Sequence, residues 1–302
     1  MKGIVPLHKP RGMTSHDCVF QLRKQLKTKK VGHTGTLDPE VNGVLPICVG
    51  EATKIAQYLT DFDKEYIAEV TIGKSTTTED AYGDIVEEKK VHQPISREEL
   101  RTVLKKFTGE IKQIPPMYSA VKVKGKKLYE YARENIEVER PIRTVTIYEL
   151  ELLSKDDKFQ GDTIAFSIRV RCSKGTYIRT LAYDIGQKLG YPAYLSDLIR
   201  TKSGPFTLDQ CVTFEEISKR IEEGTIEEII VPMEKGVAHL PSVVVTSEIE
   251  QKVKNGAVLK AIEKMSDKPY AIYNEQHCLL AIYEKHPTKP GLMKPTKVFN
   301  HS

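Results

Sequence analysis

The sequence predicts an α+β fold with a small β domain at its C-terminal end. Three observations predict it. Runs such as Tyr66 to Gly73, Val145 to Leu153 and Ile164 to Cys172 alternate in polarity and are rich in β-branched residues, as strands require. Two segments, Ser96-Arg97-Glu98-Glu99 and Thr213-Phe214-Glu215-Glu216, have the spacing of a helix capping box, in which the Ser or Thr oxygen and the Glu side chain each satisfy a backbone amide. Between Pro232 and Pro241 the pattern changes, and Leu240 to Ser302 then holds short strands separated by turn signals. A chain of 302 residues accommodates two unequal units, read here as 1–236 and 240–302.

In chain order, Gln21 to Lys30 reads as a short basic helix running into a glycine-rich turn, Gly32-His33-Thr34-Gly35. Val44 to Val49 is an apolar strand and Ala52 to Leu59 a helix. Thr76 to Gly83 is polar and loop-like. The helix begun at Ser96 continues through Leu100, Leu104 and Phe107 until Gly109 stops it. Ile114-Pro115-Pro116 breaks regular structure, and Met117 to Arg133 becomes an exposed, basic, Tyr-bearing excursion. Ile164 to Cys172 places its apolar side chains on one face and Arg169 and Arg171 on the other. Thr176 to Leu189 is a helix ended by Gly190, and the helix from Thr213 ends at Gly224. The tail strands are Tyr270 to Tyr273, Cys278 to Tyr283 and Thr296 to Phe299, with turns at Asn255-Gly256 and Asn274 to His277.

Composition narrows the function classes. With 39% hydrophobic and 29% charged residues, this is a globular composition. No apolar run approaches the roughly 20 residues of a membrane helix, and the first residues lack a secretory signal. Cys18, Cys48, Cys172, Cys211 and Cys278 form no C-x-x-C pair, which fits a reducing cytoplasm better than a disulfide framework. Neither the cysteines nor the eight histidines have ligand spacing, so no metal is expected. Net charge is only +5, but it is segregated: Met1 to His33 carries eight Lys or Arg against Asp17 alone. A second basic stretch holds Lys122, Lys124, Lys126 and Lys127, whereas Glu215 to Glu234 leans acidic. Charge alone fits a polyanion-binding face and an ordinary lysine-rich surface equally well.

Three segments could carry chemistry. In Gly32-His33-Thr34-Gly35-Thr36-Leu37-Asp38-Pro39, the proline drives Asp38 out of the α region, leaving its carboxylate on a turn. A plain Asp-Pro turn is the commoner role for such a residue. Cys172 to Arg179 sits where a strand ends and a helix opens; there Tyr177 offers a ring and a hydroxyl, and Arg179 a fixed charge able to hold a carboxylate. A core tyrosine and a surface arginine fit the same letters. Tyr66, at a strand start, could equally be a cross-strand aromatic.

Taken together, these segments resemble the bacterial tRNA pseudouridine-55 synthases almost from end to end. The matching blocks are Leu7 to Ser15, Gly32 to Pro39, Gly43 to Gly50, Gln113 to Ala120, Lys126 to Arg133 and Cys172 to Arg179. The departures are small: Glu40-Val41 stands where an apolar pair follows the Asp-Pro, and the tail matches more weakly. The resemblance implies a pseudouridine synthase fold, with a mixed, largely antiparallel central sheet flanked by helices and a PUA-like β domain at 240–302. It also implies an RNA-binding thumb over about 113–140 within the catalytic domain, 1–236.

By the same resemblance Asp38 is the nucleophile, and Tyr66, Tyr177 and Arg179 complete the catalytic set. A carboxylate suits a reaction that breaks the N1–C1′ bond of uridine, turns the base and rejoins it through C5, because it can act covalently without a cofactor. Arg179 would orient Asp38, Tyr66 would stack on the extruded uracil, Tyr177 would lie beside the base, and Leu198 would line the pocket. His33 would fill the space left by the flipped base, and Lys9 would contact the RNA. Extruding a base costs a few kcal/mol, and stacking on an aromatic returns roughly 1–3 kcal/mol. The implied partner is tRNA, held at its T stem-loop and, through the C-terminal domain, at its acceptor end. No metal, no cofactor and no protein partner is expected, and a cytoplasmic monomer suffices. Two rival readings are the catalytic subunit of a guide-RNA particle and an RNA-binding or tRNA-folding protein. The absence of Lys-rich tails argues against the first; the joint presence of Asp38, Tyr66, Tyr177 and Arg179 argues against the second.

Overall fold

The structure is a computed structural model that describes residues 1–263 and 265–300. One nine-stranded sheet organises the larger unit. Its strands are β1 (Gly3–Lys9), β2 (Val31–His33), β3 (Asn42–Val49), β4 (Lys64–Ile72), β5 (Gly109–Gln113), β6 (Arg143–Leu152), β7 (Ile164–Cys172), β8 (Ala193–Ser203) and β9 (Phe206–Thr207). The order across the sheet is β1-β3-β8-β4-β7-β6-β5, with β2 paired to β3 and β9 to β8. Every pairing is antiparallel except that of β3 with β8. This is the expected mixed, largely antiparallel sheet.

The alternation read in the sequence sets which face each side chain takes. On β4 and β7 every second residue is buried, so Lys64, Tyr66, Ala68, Val70 and Ile72 share one face with Ile164, Phe166, Ile168, Val170 and Cys172. At the parallel junction Gly43 pairs with Arg200. Its φ is +116°, and a Cβ there would lie 2.2 Å from the Arg200 carbonyl oxygen, so only glycine allows the two strands to meet.

The helices are α1 (Ser15–Gln25), α2 (Ala56–Thr60), α3 (Arg97–Lys105), α4 (Leu128–Arg133), α5 (Ile178–Leu189), α6 (Phe214–Glu222) and α7 (Ser247–Lys254). Ser96 accepts from Glu99 N, and Thr213 and Glu216 form a full capping box. Gly190 ends α5 in the left-handed conformation, φ 82°. The basic helix expected over Gln21 to Lys30 is displaced: α1 starts earlier, because Thr14 and Asp17 form a capping box, and ends at Gln25. The segment read as a loop over Thr76 to Gly83 lies mostly between the arms of a hairpin, Lys74–Thr76 with Ile85–Glu88. Within the proline-led excursion, Lys122–Val123 pairs with Lys126–Lys127 and leads into α4. No helix among the described residues is long and apolar enough to cross a membrane.

After residue 241 a separate five-stranded sheet forms from β10 (Ser242–Val244), β11 (Leu259–Lys260), β12 (Tyr270–Tyr273), β13 (Leu279–Lys285) and β14 (Leu292–Val298), in the order β10-β12-β13-β14-β11. It has its own core around Val253, Ile272, Leu280 and Tyr283. Its other face does not stand free: Ala271, Leu279, Ile282 and Phe299 pack into one cluster with Ile4, Val44, Ile55 and Leu59 of the larger unit.

Candidate active site

The loop between β2 and β3 carries Asp38 and is pinned from several sides. Leu37 N donates to Ser15 Oγ at 2.9 Å, Gly12 N to Pro39 O at 3.0 Å and Val41 N to Asp38 O at 3.1 Å. The Lys9 ammonium, fully buried, donates to Pro10 O (2.9 Å), Pro39 O (2.9 Å) and Val41 O (2.7 Å). Its three protons are thus spent on backbone carbonyls, two of them in the turn that follows Asp38. Lys9 therefore lies below the loop and does not reach the surface where RNA contact was expected. Burial lowers its pKa from the usual lysine range, with the carboxylates of Glu40 and Asp38 opposing.

Asp38 itself is 43% exposed, and Arg179 is 7% exposed beside it, with Nε 3.1 Å from Asp38 Oδ2. Arg179 lies in the first turn of α5 and is fixed in turn: Nη1 donates to Thr78 O at 2.9 Å and Nη2 to Tyr118 O at 2.8 Å, with Asp80 Oδ2 at 3.7 Å. Each side of the guanidinium thus has an acceptor, which a lysine in its place could not match.

Asp38 and Arg179 open onto a cavity of about 260 Å³ whose lining includes Tyr66, Tyr177 and Leu198. Five of the seven expected site residues are therefore together. Tyr66 comes from β4 at register with Arg200 of β8 and Val170 of β7. Burial raises its phenol above the usual value, with Arg200 pulling the other way, so the hydroxyl is protonated at neutral pH. Tyr177 caps α5, and the Gln113 side chain clamps its backbone: Nε2 donates to Tyr177 O and Oε1 accepts from Tyr177 N, both at 3.1 Å. Leu198 is 9% exposed on β8. His33, at the end of β2, is not part of the lining; its Nδ1 accepts from Gly35 N at 3.4 Å, and burial lowers its pKa, favouring the neutral ring.

Several lining residues were missed by the sequence reading. Arg200 is 2% exposed, with Nε donating to Val44 O at 2.7 Å. Lys64 donates to Thr60 O and Phe62 O, both at 2.6 Å, and burial lowers its pKa to about 8. Ser119 and Ala120, from the base of the excursion, complete one wall. A second cavity of about 390 Å³ adjoins the first across Asp38 and Arg179, with Tyr82, Tyr118, Tyr129 and Arg133 in its lining. Among the described residues, no cluster of three or more His, Cys, Asp or Glu side chains could hold a metal ion.

Comparison with known proteins identifies the family. Residues 23–178 match the profile described as "TruB family pseudouridylate synthase (N terminal domain)", and 179–238 match "tRNA pseudouridylate synthase B C-terminal domain". The cavity spans both, since Asp38, Tyr66 and Tyr177 fall in the first and Arg179 and Leu198 in the second. The chain is 58% identical over 299 residues to tRNA pseudouridine synthase B of Halalkalibacterium halodurans, covering 99% of this chain and 97% of that protein. It is 56% identical over 301 residues to the enzyme of the same name from Geobacillus thermodenitrificans, covering 99% and 100%. Among solved structures, a chain of a Cbf5-Nop10-Gar1 complex superimposes with a TM-score of 0.76 at 31% identity, covering 99% of this chain and 85% of that one.

Proposed function

The chain belongs to the TruB family of pseudouridylate synthases and isomerises uridine to pseudouridine in tRNA, and we propose that its target is the T-loop uridine at position 55, with Asp38 as the nucleophile. One observation carries the assignment of Asp38. It is the half-exposed carboxylate held by a buried arginine at the mouth of a cavity that also holds Tyr66, Tyr177 and Leu198.

The chemistry follows from that arrangement. The flipped nucleotide enters the cavity, with its uracil against the Tyr66 ring. The Asp38 carboxylate bonds to C1′ of the ribose or to C6 of the uracil, and the N1–C1′ bond breaks with its electron pair leaving on the uracil. The base turns, C5 bonds to C1′, the bond to Asp38 breaks and returns its electron pair to the carboxylate, the proton on C5 departs and N1 gains one. Arg179 keeps the Asp38 carboxylate oriented throughout, and the Tyr66 and Tyr177 walls limit the tumbling of the detached base. Lys9 acts as a positioning residue beneath the loop, and His33 occupies the gap in the RNA stack. The basic excursion, 113–140, closes over the stem-loop, and residues 240–302 act as a PUA-like domain toward the acceptor end. The protein works as a cytoplasmic monomer without a cofactor. Identity of 58% to a tRNA-modifying enzyme, against 31% to the Cbf5-containing structure, favours tRNA over a guide-RNA-directed substrate.

The test is to incubate T stem-loop RNA with the pure protein and map the modified position. Pseudouridine at position 55 supports the reading, and modification elsewhere or none overturns it.

A further inference from the structure

Ser119 is 6% exposed, and its Oγ is fully covered with no hydrogen-bond partner among the described residues. Six side-chain polar atoms among the described residues share that condition, and Ser119 alone among their residues belongs to the lining of the Asp38 cavity. A buried hydroxyl without a partner lowers stability, because the bonds it made to water are not replaced.

The backbone around this hydroxyl is pinned, so the hydroxyl moves only by rotation about the Cα–Cβ bond. Ser119 N donates to Met117 O at 2.9 Å, and Ser119 O accepts from Tyr129 N at 3.1 Å. The adjacent carbonyl, Tyr118 O, is held by Arg179, whose Nε contacts Asp38. Ser119 is thus fixed one residue after the carbonyl held by the arginine that orients the carboxylate.

We propose that the Ser119 hydroxyl, covered in the free protein, turns about its Cα–Cβ bond to complete its hydrogen bonding on the target nucleotide, pairing with a uracil carbonyl or the ribose 2′-hydroxyl and so helping to hold the flipped nucleotide in place. This rests on the proposed reading of the cavity as the uridine pocket. A hydroxyl donates and accepts, so it can meet either group. Turning uracil about its N3–C6 axis exchanges N1 with C5 and O2 with O4. A donor placed at the carbonyl beside the glycosidic bond therefore finds a carbonyl in substrate and product alike.

The experiment compares wild type with Ser119→Ala on T stem-loop RNA, together with the Tm of each free protein. A roughly three- to tenfold fall in kcat/KM is expected, with Tm unchanged or raised, since the variant discards an unsatisfied group. The wild-type to variant ratio is then remeasured with 2-thiouridine, 4-thiouridine or 2′-deoxyuridine at the target, using Kd where a substitution blocks turnover. A ratio that shrinks with a thio base assigns the contact to the uracil, and one that shrinks with the deoxy sugar assigns it to the ribose. Unchanged kcat/KM, a loss matched by a fall in Tm, or a ratio undiminished on every RNA overturns the proposal. Wild-type turnover is the control: without it the reading of the pocket falls, whereas turnover with an indifferent Ser119→Ala overturns the Ser119 role alone.

Discussion

Arg179 Nε lies 3.1 Å from Asp38 Oδ2, while the two terminal nitrogens of the same guanidinium hold Thr78 O and Tyr118 O. One side chain therefore joins the Asp38 loop, the hairpin after β4 and the base of the excursion. Asp38→Asn keeps shape and removes charge, so stem-loop RNA should still bind while turnover falls by roughly 10⁴-fold or more. Tritium release from C5-labelled uridine in tRNA measures it, and retained release would remove Asp38 from the role of nucleophile.

Tyr66 is 9% exposed and belongs to the main core, so truncation to alanine reports on packing as well as on substrate. Tyr66→Ala should cost about 3 kcal/mol or more of stability. Tyr66→Phe keeps the ring and should leave KM within about twofold, whereas Tyr66→Leu gives up stacking worth roughly 1–3 kcal/mol and should raise KM by about 5- to 150-fold. Equal KM values for Phe and Leu would deny the stacking role.

Lys9 makes three hydrogen bonds beneath the Asp38 loop. Lys9→Met should lower stability by about 2–4 kcal/mol, since it orphans those carbonyls. The turnover rate should fall with it as the loop loosens, while KM stays near wild type. Thermal melts beside steady-state kinetics separate the outcomes, and a raised KM at unchanged Tm would return Lys9 to RNA contact.

Asp184, on α5, has its pKa raised from 3.8 to about 6 by burial, with Glu79 adding repulsion. The folded state therefore holds the proton more tightly than the unfolded chain, and stability falls as pH rises from about 4 to 6. The penalty is complete above that window. Asp184→Asn should raise Tm at pH 7.5 and change it little at pH 4. A gain independent of pH, in melts across that range, would contradict the cause given.

What was legible in the sequence depended on whether local pattern or distant contact fixed each feature. Ile164–Cys172 and Tyr270–Tyr273 were read to the residue, because turns bound each and the first alternates in polarity along its length. The eleven-residue β8 was missed: register shifts between Leu195 and Asp197 and between Arg200 and Lys202 break its alternation. At the site, Asp38, Tyr177 and Arg179 stood out because their segments match a family, and Tyr66 and Leu198 because the same resemblance implies a role for them. Gln113, Ser119 and Arg200 did not stand out as individual residues, since each matters only through a contact with another segment or through an exposure that no local pattern records. Lys9 misled for the same reason: two of its three partners are carbonyls 30 and 32 residues away.

Phe299, Leu279 and Ile282 share a core with Ile4, Val44 and Leu59, and Lys54 Nζ ties Val298 O at 2.8 Å across the same seam. A joint this apolar behaves as a rigid weld instead of a hinge. The two sheets should melt in a single calorimetric transition, and two resolved transitions would contradict the weld. The span from the cavity to the C-terminal sheet is then a constant of the molecule, so an RNA that touches both is gauged for length as between the jaws of a caliper.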